Sequence, residues 1–568
     1  MALTGRIPRD LGNLTFLVSL VLRSNNFHGN LPQEISQLHR LKFVDLSLNN
    51  FRGEVPSWFG FLHKLEVLDL RNNSFTGSIP CSFSNISTLE NLDVDFNSIE
   101  GEIPKVIGSL INLRILNLRG NNLIGSIPPS LSNASRLEVL DLSSNLLRGN
   151  IPEGIGNLQN LNWLSIQDNQ LTGSIPFTIF NISRIEFIAF AVNSLSGNLP
   201  NGLCNRLPIL KGLYLSTNKL DSHIPTSLPN CSELQILSLA ENYFSGIIPR
   251  EIGNLVNLVT LTVETNQITG SIPISIFNIS SLQFVSLGTN NLKGSLPREI
   301  GNLTKLQFLY FHENRFTGEI PKEIRNLVEL EVLHLAFNSF SGSLPMLIFN
   351  ILALTIIDLS FNNLSGTLPP NIGSTLPNIE ELYMARLTNL VGTIPHSISN
   401  CSKLTHLELA ENKLSGLIPN SLGYLTHLHF LNLQRNNLSS DPFLSFLTSL
   451  TNCRNLTSLS LSFNPLNGML PVSIGNFSKS LVNFYASACN INSQIPNEVG
   501  NLTNLIDLDL TRNNLSGWIP TSTQNLRNLQ RLYLNINKLT GFIGDHICKI
   551  AAFGCYFLGS KSTFRSTS

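Results

Sequence analysis

Hydrophobic and polar positions follow one another along this chain in a pattern that returns about every 24 residues. It is first seen in LVSLVLRSNNFHGNLP, where leucines at alternate positions precede Asn25, and it returns in LKFVDLSLNNFRGEVP around Asn49. Apolar residues at alternate positions are typical of a short strand with one buried face. The glycine and the proline that follow each asparagine are typical turn residues. The pattern therefore predicts one strand and one turn in every repeat.

The same asparagine position recurs through nearly the whole chain. Around it runs L-x-x-L-x-L-x-x-N-x-L-x-G-x-I-P, as in LEVLDLSSNLLRGNIP from Leu137 to Pro152. This is the pattern of a leucine-rich repeat, in which stacked coils each contribute one short strand to a sheet. We therefore predict an α/β solenoid with a parallel β-sheet on its concave face and short 3-10, helical and β segments on its convex side. The recurring residues are Asn25, Asn49, Asn73, Asn97, Asn121, Asn145, Asn169, Asn193, Asn218, Asn242, Asn266, Asn290, Asn314, Asn338, Asn362, Asn412, Asn436, Asn464, Asn513 and Asn537.

The recurring asparagine has a structural explanation. After the inward-facing leucines the chain turns and leaves backbone N–H and C=O groups in an apolar interior, where each unpaired group costs about 1–3 kcal/mol. An inward asparagine amide has donors and an acceptor, so it can bond the backbone of its own coil and of the neighbouring coil. We therefore predict a ladder of structural asparagines. In NFYASACNINSQIP the ladder position is taken by Cys489, a replacement typical of leucine-rich repeats that predicts a buried thiol.

The repeats divide the chain into three parts. Residues 1–16 read as a partial N-terminal repeat without a cap, residues 17–541 as about 22 repeats, and residues 542–568 as a degenerate last repeat and a polar tail. Because solenoids need capping repeats over their apolar ends, we expect a fragment or a truncated gene product.

Two coils, 373–392 and 437–456, depart from the repeat length. In the first, the ladder position falls near Leu387 to Asn389. In the second, SSDPFLSFLTSLTNCRNL has extra residues and predicts a longer convex helix that starts at a Ser-Asp cap before Pro442.

Composition and charge argue against several classes of function. Lys plus Arg and Asp plus Glu are both 37, so no net charge favours a nucleic-acid partner. Charged residues make up 13% of the chain and polarity comes from uncharged side chains, which suits an extracellular surface. No cysteine pair has CxxC spacing, and no arrangement of catalytic or metal-binding residues is evident. We expect no enzymatic activity, no metal and no cofactor.

Particular segments carry a family resemblance. SSDPFLSFLTSLTNCRNL is followed by NPLNGMLPVSIGNFSKSLVNFYASAC, and the coils have the L-x-G-x-I-P turn throughout. The chain resembles the ectodomain of plant leucine-rich-repeat receptor-like kinases. It is similar to the subfamily that includes immune receptors for bacterial flagellin and elongation factor. The resemblance implies a superhelical solenoid with a second short strand in each coil.

The resemblance also implies a function. We expect an extracellular recognition module that binds a peptide or a microbial protein on its concave face, with a leucine-rich-repeat co-receptor kinase at the C-terminal coils. The full-length parent would have a signal peptide, one transmembrane helix and a Ser/Thr kinase at the plasma membrane. We find no such signal or membrane span in this sequence, so we expect no membrane insertion by this chain. It also lacks the kinase motifs.

Two other interpretations stay open from the sequence. The first is a receptor-like protein without a kinase, or a secreted protein of the polygalacturonase-inhibitor type. The second is a non-functional product of a truncated gene, which the missing cap and the degenerate end favour.

Candidate ligand contacts lie at the positions beside the strand leucines, which project from the concave face. In the first coils these positions form an acidic stripe of Asp45, Asp69, Asp93 and Asp141. In the middle coils they are aromatic, and aromatic side chains with a polar group are typical of peptide-binding hot spots. The alternative is that they are ordinary half-exposed strand residues. The candidates are Tyr214, Phe284, Phe308, Tyr310, His312, His334, Phe337 and Phe361.

Candidate N-glycosylation sites fit an extracellular protein, although repeat composition alone produces many Asn-x-Ser/Thr triplets. They are Asn13, Asn72, Asn85, Asn133, Asn181, Asn230, Asn278, Asn302, Asn363, Asn400, Asn437, Asn455, Asn476, Asn501 and Asn514.

One cysteine pair is a candidate disulfide. Cys204 and Cys231 lie in consecutive coils at nearly equivalent convex places. Neighbouring coils are about 5 Å apart, which is close to the Cα separation of a disulfide. Their offsets from the I-P step differ, so the sequence leaves both a bridge and two free thiols open.

Overall fold

The computed structural model describes residues 2–541. The predicted degenerate repeat and polar tail at 542–568 lie outside the described residues. By its internal contacts the chain forms two compact units, Met1–Asn291 and Leu292–Ser568.

The first unit contains a parallel sheet, here called the main sheet, built from one short strand per coil. Phe43, Val67 and Asn91 pair in register, so the same repeat position lies side by side in successive coils. Leu68 and Leu70 are fully buried, as the alternation of the pattern requires. The strands are Ser19–Val21, Phe43–Asp45, Val67–Asp69, Asn91–Asp93, Ile115–Asn117, Val139–Asp141, Trp163–Ser165, Phe187–Ala189, Gly212–Tyr214, Ile236–Ser238, Thr260–Thr262 and Phe284–Ser286.

A second set of short parallel strands follows the turn in each coil of the first unit. They are Thr4–Gly5, Asn26–Gly29, Asn50–Glu54, Ser74–Thr76, Glu100–Glu102, Asn122–Ile124, Arg148–Asn150, Gln170–Gly173, Ser194–Asn198, Lys219–Asp221, Ser245–Ile247 and Gln267–Gly270.

A 3-10 segment then closes each coil, in most cases directly after the proline of the I-P step. Proline favours this start because its φ is fixed and it has no N–H to leave unpaired. The segments are Arg9–Asn13, Gln33–Gln37, Ser57–Phe61, Cys81–Asn85, Lys105–Ser109, Pro129–Asn133, Glu153–Asn157, Phe177–Asn181, Leu203–Arg206, Leu228–Asn230, Arg250–Asn254 and Ile274–Asn278.

The second unit repeats this organisation. Its main-sheet strands are Phe308–Tyr310, Val332–His334, Ile356–Asp358, Glu381–Tyr383, His406–Glu408, Phe430–Asn432, Ser458–Ser460, Asn483–Tyr485, Asp507–Asp509 and Arg531–Tyr533. The second set comprises Asn291–Gly294, Arg315–Gly318, Ser339–Ser343, Asn362–Thr367, Leu387–Gly392, Lys413–Leu417, Asn437–Ser439, Asn492–Ser493, Asn514–Gly517 and Lys538–Leu539. The 3-10 segments are Arg298–Asn302, Lys322–Asn326, Met346–Asn350, His396–Asn400, Asn420–Tyr424, Val472–Asn476, Asn497–Asn501 and Thr521–Asn525.

Two α-helices, Ile372–Thr375 and Ser445–Leu450, replace 3-10 segments in the irregular coils. The predicted start of the second helix was wrong. The helix begins at Ser445, because the chain first passes through a left-handed residue, Leu444, with φ 47°. The Asp441 carboxylate still accepts the backbone N–H groups of Phe443 and Ser445, so it organises the approach to the helix rather than its first turn.

The recurring asparagines make the same hydrogen bonds in coil after coil. In the first unit the Asn145 amide nitrogen donates to the carbonyl oxygens of Leu142, 3.2 Å away, and of Leu118 in the preceding coil, 2.9 Å away. The Asn145 Oδ1 atom accepts the N–H of Leu123 at 3.0 Å. In the second unit Asn362 bonds Leu335, Leu359 and Phe340 in the same way. Each amide therefore joins two coils through their buried backbone.

The ladder is interrupted twice in the second unit. Leu387 occupies one ladder position, and the pairing of the second strands shifts register beside it. Cys489 occupies the other, with its Sγ 3.3 Å from the Leu461 carbonyl oxygen. Burial raises the pKa of the Cys489 thiol to about 12, so this sulfur is a neutral ladder member at physiological pH.

The residue before each ladder position has a left-handed backbone, which the sequence pattern does not reveal. Leu48 has φ 55°, Phe361 has φ 56° and Gly120 has φ 65°. Only glycine adopts this conformation without strain, yet most coils place another residue there. The turn after the strand therefore stores strain in nearly every coil, and the ladder hydrogen bonds hold it.

Cys204 and Cys231 form a disulfide bond, with their Cα atoms 5.1 Å apart. The bond links the 3-10 segment Leu203–Arg206 to the end of the next one, Leu228–Asn230, within the first unit.

Candidate ligand-binding surface

The outward positions of the main sheet form the candidate surface. In L-x-x-L-x-L-x-x-N the leucines point into the core, so the residues between them point outward, in register from coil to coil. Because each strand is hydrogen-bonded to its neighbours, these side chains stand on a fixed backbone.

Two of the predicted contact residues, Tyr214 and Phe284, lie on main-sheet strands of the first unit. Tyr214 and Phe187 both close over Gly212, where an added Cβ would lie 2.7 Å from either ring. Trp163 packs against Phe187 with ring centroids 4.9 Å apart. The first unit therefore has an aromatic cluster on its sheet, and Trp163 is a member that sequence reasoning missed.

Four further candidates, Phe308, Tyr310, His312 and His334, lie at neighbouring positions of the second unit. Tyr310 and His334 pair directly across two strands, and their ring centroids are 6.1 Å apart. The imidazoles of His312 and His334 stack at 4.2 Å with an interplanar angle of 12°. His334 Nε2 lies 3.1 Å from an Asp358 carboxylate oxygen. The structure thus brings a phenol, two imidazoles and a carboxylate together.

The remaining candidates, Phe337 and Phe361, differ from the others in position. They are the left-handed residues before ladder asparagines, so they stand at the edge of the main sheet rather than on its strands. Their rings stack at 4.2 Å, and Phe337 is 48% exposed. The single aromatic patch predicted from sequence is therefore two arrangements in the second unit, one on the strands and one on the turns.

Carboxylates follow the histidines on the next strands of the second unit. Glu381 accepts the Tyr383 hydroxyl at 3.0 Å, and Glu408 accepts the Asn432 amide at 2.8 Å. Burial raises the pKa of the Glu408 carboxyl, with Asp358 and Glu411 acting in the same direction. Burial and then the hydrogen bond to Glu381 raise the pKa of the Tyr383 hydroxyl. This part of the sheet is acidic and partly desolvated.

Comparisons with known proteins find leucine-rich repeats along the chain and similar solved structures of plant receptors. Family models for leucine-rich repeats match residues 111–171, a leucine-rich repeat region matches residues 203–344, and single repeats match seven segments between residues 40 and 526. The plant peptide hormone receptor RGFR1, solved in complex with RGF2, is 32% identical with a TM-score of 0.83, and the match covers 97% of this chain and 90% of that chain. The Arabidopsis receptor kinase HAESA, solved with the peptide hormone IDA and the co-receptor SERK1, is 32% identical with a TM-score of 0.82 over 94% and 89% of the two chains.

The chain belongs to the leucine-rich-repeat ectodomains of plant receptor kinases. This confirms the predicted family and the predicted α/β solenoid. Among curated proteins, the Arabidopsis thaliana LRR receptor-like serine/threonine-protein kinase EFR is 35% identical over 88 residues, which are 15% of this chain and 8% of that protein. A second Arabidopsis thaliana relative, a probable LRR receptor-like serine/threonine-protein kinase, is 41% identical over 93 residues, or 16% and 9%. The match thus spans less than a tenth of each curated relative.

Two members of the acidic stripe in the ectodomain's first unit share an arginine. Arg71 lies between two of its members, with Nε 3.4 Å from Asp69 and Nη1 3.7 Å from Asp93. Burial and the neighbouring Asp93 raise the pKa of Asp69 to about 6 and that of Asp95 to about 8. Asp95 was absent from the predicted stripe; it follows Asp93 by two positions and donates its backbone N–H to the Asp93 carboxylate at 3.1 Å.

The glycan acceptor triplets of the ectodomain avoid the main-sheet strands. Most of their asparagines end a 3-10 segment, and three others, Asn363, Asn437 and Asn514, lie at the start of a second-set strand. Asn72 and Asn455 lie in turns. Apart from the half-buried Asn181, the acceptor asparagines are exposed. The acceptor asparagines therefore all lie off the main-sheet strands.

Within residues 2–541 of the ectodomain, no three His, Cys, Asp or Glu side chains are arranged to hold a metal ion. None of the helices in the same range has the length and apolar content needed to traverse a bilayer.

Proposed function

We propose that this ectodomain recognises a peptide, or an extended segment of a microbial protein, on the outward face of its main sheet. The observation that carries the proposal is the group Tyr310, His334 and Asp358, which presents aromatic, imidazole and carboxylate chemistry on three adjacent strands. Side chains that combine a ring with a polar group are enriched at binding hot spots. A backbone already fixed by sheet hydrogen bonds loses little entropy on binding.

The solved relatives support the same class of ligand. The plant peptide hormone receptor RGFR1 was solved in complex with RGF2, and HAESA with the peptide hormone IDA and the co-receptor SERK1. We also propose that this chain binds a leucine-rich-repeat co-receptor. We also propose that the ectodomain acts outside the cell as part of a receptor-like serine/threonine kinase.

A peptide selection tests the ligand class. The full chain, secreted with its glycans, would be exposed to a displayed library of random twelve-residue peptides, and calorimetry would measure the enriched sequences. We expect Tyr310→Ala and His334→Ala each to weaken binding at least tenfold, since both remove a ring from the centre of the group.

The matched control is Tyr424→Ala. Tyr424 is 73% exposed and ends the 3-10 segment Asn420–Tyr424, away from the main-sheet strands, so its loss should change affinity less than twofold. Enriched peptides that depend on Tyr424 but not on Tyr310 or His334, or the absence of any enrichment, would contradict the proposal.

A further inference from the structure

Six residues at the left-handed turn position form a continuous row along the second unit, here called the turn ridge. All precede a ladder position, and their φ angles range from 52° to 58°. They are Phe337, Phe361, Arg386, Glu411, Arg435 and Phe463.

Each member of the turn ridge contacts the next one. The Phe337 and Phe361 rings stack at 4.2 Å, and the Arg386 guanidinium lies 5.4 Å from the Phe361 ring centroid. Glu411 lies 3.9 Å from Arg386 and 3.9 Å from Arg435. Such mutual contacts keep long side chains ordered at an exposed edge, which lowers the entropy cost of binding something against them.

The phenyl rings and guanidinium groups of the turn ridge are partly exposed to solvent. Phe337 and Phe463 are 48% and 41% exposed, and the Arg386 and Arg435 side chains are 64% and 56% exposed. Arg435 lies over Phe463 with its guanidinium carbon 4.7 Å from the ring centroid. Phenyl rings and guanidinium planes both favour stacking with an aromatic ligand group. Because Glu411 is shared between both arginines, an anionic ligand group would meet a partly neutralised pair.

Three carboxylates, here called the sheet acids, lie on the strands beside the ridge: Asp358, Glu381 and Glu408. They occupy adjacent strands of the main sheet. Asp358 and Glu408 hold the same strand position with Tyr383 between them in register, and Glu381 lies two residues before Tyr383.

Asp358 lies beside His334, and Glu381 lies beside His406, with His406 Nδ1 3.8 Å from its Oε1 atom. Glu408 accepts the Asn432 amide and the Ala410 backbone N–H. Among the described residues none of the three has an ion pair with lysine or arginine. Partly desolvated acids that lack a lysine or arginine partner favour a basic ligand group.

The residues between the two rows are small and buried. Ala336, Ser360, Ala385 and Ala410 are at most 7% exposed, and each lies between a strand position and a turn-ridge residue in the chain. The two rows therefore border a trough that crosses the strands. With coils about 4.8 Å apart, the stretch from Ala336 to Ala410 is about 14 Å long and takes roughly four or five extended residues.

We propose that this trough binds an extended peptide segment in which basic residues alternate with aromatic residues. The inference rests on the proposed function and specifies its ligand. Successive side chains of an extended chain point to opposite sides. A segment lying in the trough therefore directs one set of side chains toward the sheet acids and the other set toward the turn ridge. Lysine or arginine meets the carboxylates, and tyrosine, phenylalanine or tryptophan stacks on the ridge.

Three synthetic peptides test the order of residues separately from their composition. They are acetyl-GKYKYKYG-amide, its blocked isomer acetyl-GKKKYYYG-amide, and the acidic counterpart acetyl-GEYEYEYG-amide. We expect the alternating basic peptide to bind the full glycosylated chain at least tenfold more tightly than the other two. Its affinity should fall as salt is raised, because the sheet acids contribute through charge.

Variants locate the binding. Glu408→Gln and Phe361→Gly should each weaken the alternating peptide at least fivefold; glycine retains the left-handed turn at 361, so the backbone is preserved. Phe463→Ala is a second ridge variant, and a thermal melt of each variant checks that it is folded. Asp69→Asn, in the first unit's acidic stripe, and Tyr424→Ala are the matched controls and should change affinity less than twofold.

The outcomes separate the two proposals. Equal binding of the alternating and blocked peptides would overturn the alternation. The absence of any binding by the alternating peptide would also overturn the inference about the trough. In that case a library peptide whose binding depends on Tyr310 would still support the proposed function. Failure of every peptide would overturn both.

Discussion

The acidic stripe of the first unit and the sheet acids of the second unit both lie on main-sheet strands but have different neighbours. In the first unit Asp69 and Asp93 have Arg71 between them. In the second unit Glu408 has amide donors and no arginine or lysine pair among the described residues. The comparison teaches that an acidic side chain on the main sheet is not by itself a binding residue. Under our proposal it becomes one where the neighbouring coils supply no arginine or lysine partner.

The residues at the ladder position also differ between the two units. In the first unit asparagine holds the ladder position in the coils from Asn25 to Asn290, whereas the described part of the second unit has Leu387 and Cys489 at two of these positions. A cavity of about 550 Å³ opens beside Leu387 and is bordered by the ridge residues Phe361, Arg386 and Glu411. The irregular ladder position at Leu387 thus coincides with exposed turn-ridge side chains.

The largest expected effect comes from breaking the regular ladder. Asn145→Ala removes the partner of three carbonyl oxygens and one N–H, all in the interior of the first unit. We expect a loss of about 3–5 kcal/mol in the free energy of unfolding, measured by urea denaturation. Asn254→Ala, at an exposed asparagine that ends a 3-10 segment, is the control and should change stability by less than about 0.5 kcal/mol.

Substitution at the ladder position held by Cys489 should lower the free energy of unfolding less than substitution of Asn145. Cys489→Ala removes a thiol that makes only weak hydrogen bonds, at 3.3 Å and 3.4 Å. We expect a loss of about 1 kcal/mol by the same measurement. A loss as large as that of Asn145→Ala would mean that the two ladder positions are equivalent, against the comparison drawn between the units.

A change of pH should have an intermediate effect on the stability of the first unit. Because the pKa values of Asp69 and Asp95 are raised to about 6 and about 8, the folded first unit holds protons more tightly than the unfolded chain. Their contribution to stability is therefore fully present below about pH 4 and is lost as the pH rises toward 8. Asp95→Asn should raise Tm by a few degrees at pH 8 and leave it unchanged at pH 4, in melts of both proteins at each pH. A Tm gain of equal size at both pH values would point to packing rather than to charge.

The smallest effect concerns the left-handed turn. Leu48→Gly should stabilise the first unit by about 0.5 kcal/mol, because the relief of strain exceeds the extra entropy of glycine in the unfolded chain. In the second unit Phe361→Gly relieves the same strain but loses the stack on Phe337, so its stability should stay nearly constant. Urea denaturation of both variants makes the comparison, and a clear gain for Phe361→Gly would show that the stack contributes nothing.

Much of the fold could be predicted from the sequence because its signals are local and repeated. Leucine alternation, the turn glycine and the I-P step recur in coil after coil, so a chance resemblance in one coil is corrected by the others. The start of the helix at Ser445 could not be predicted, because the left-handed Leu444 delays it and single-residue backbone choices leave no repeated trace.

The candidate surface could be predicted only in part. Tyr310, His312 and His334 follow from their repeat position, since strands in register bring that position together. Arg386, Glu411, Arg435 and Phe463 were missed, although one signal could have found them: each directly precedes a ladder position. Their importance depends on contacts with residues in neighbouring coils, which no single repeat displays.

The sequence by itself determined the repeating coil, its buried leucines and its ladder asparagines, because each depends on the energetics of one repeat and the one beside it. Only the tertiary structure decided which outward side chains act together. Stacking at a fixed register turns separate positions into rows, and charge compensation within a row depends on atoms that the chain brings together only when it folds. The turn ridge and the sheet acids are products of that stacking.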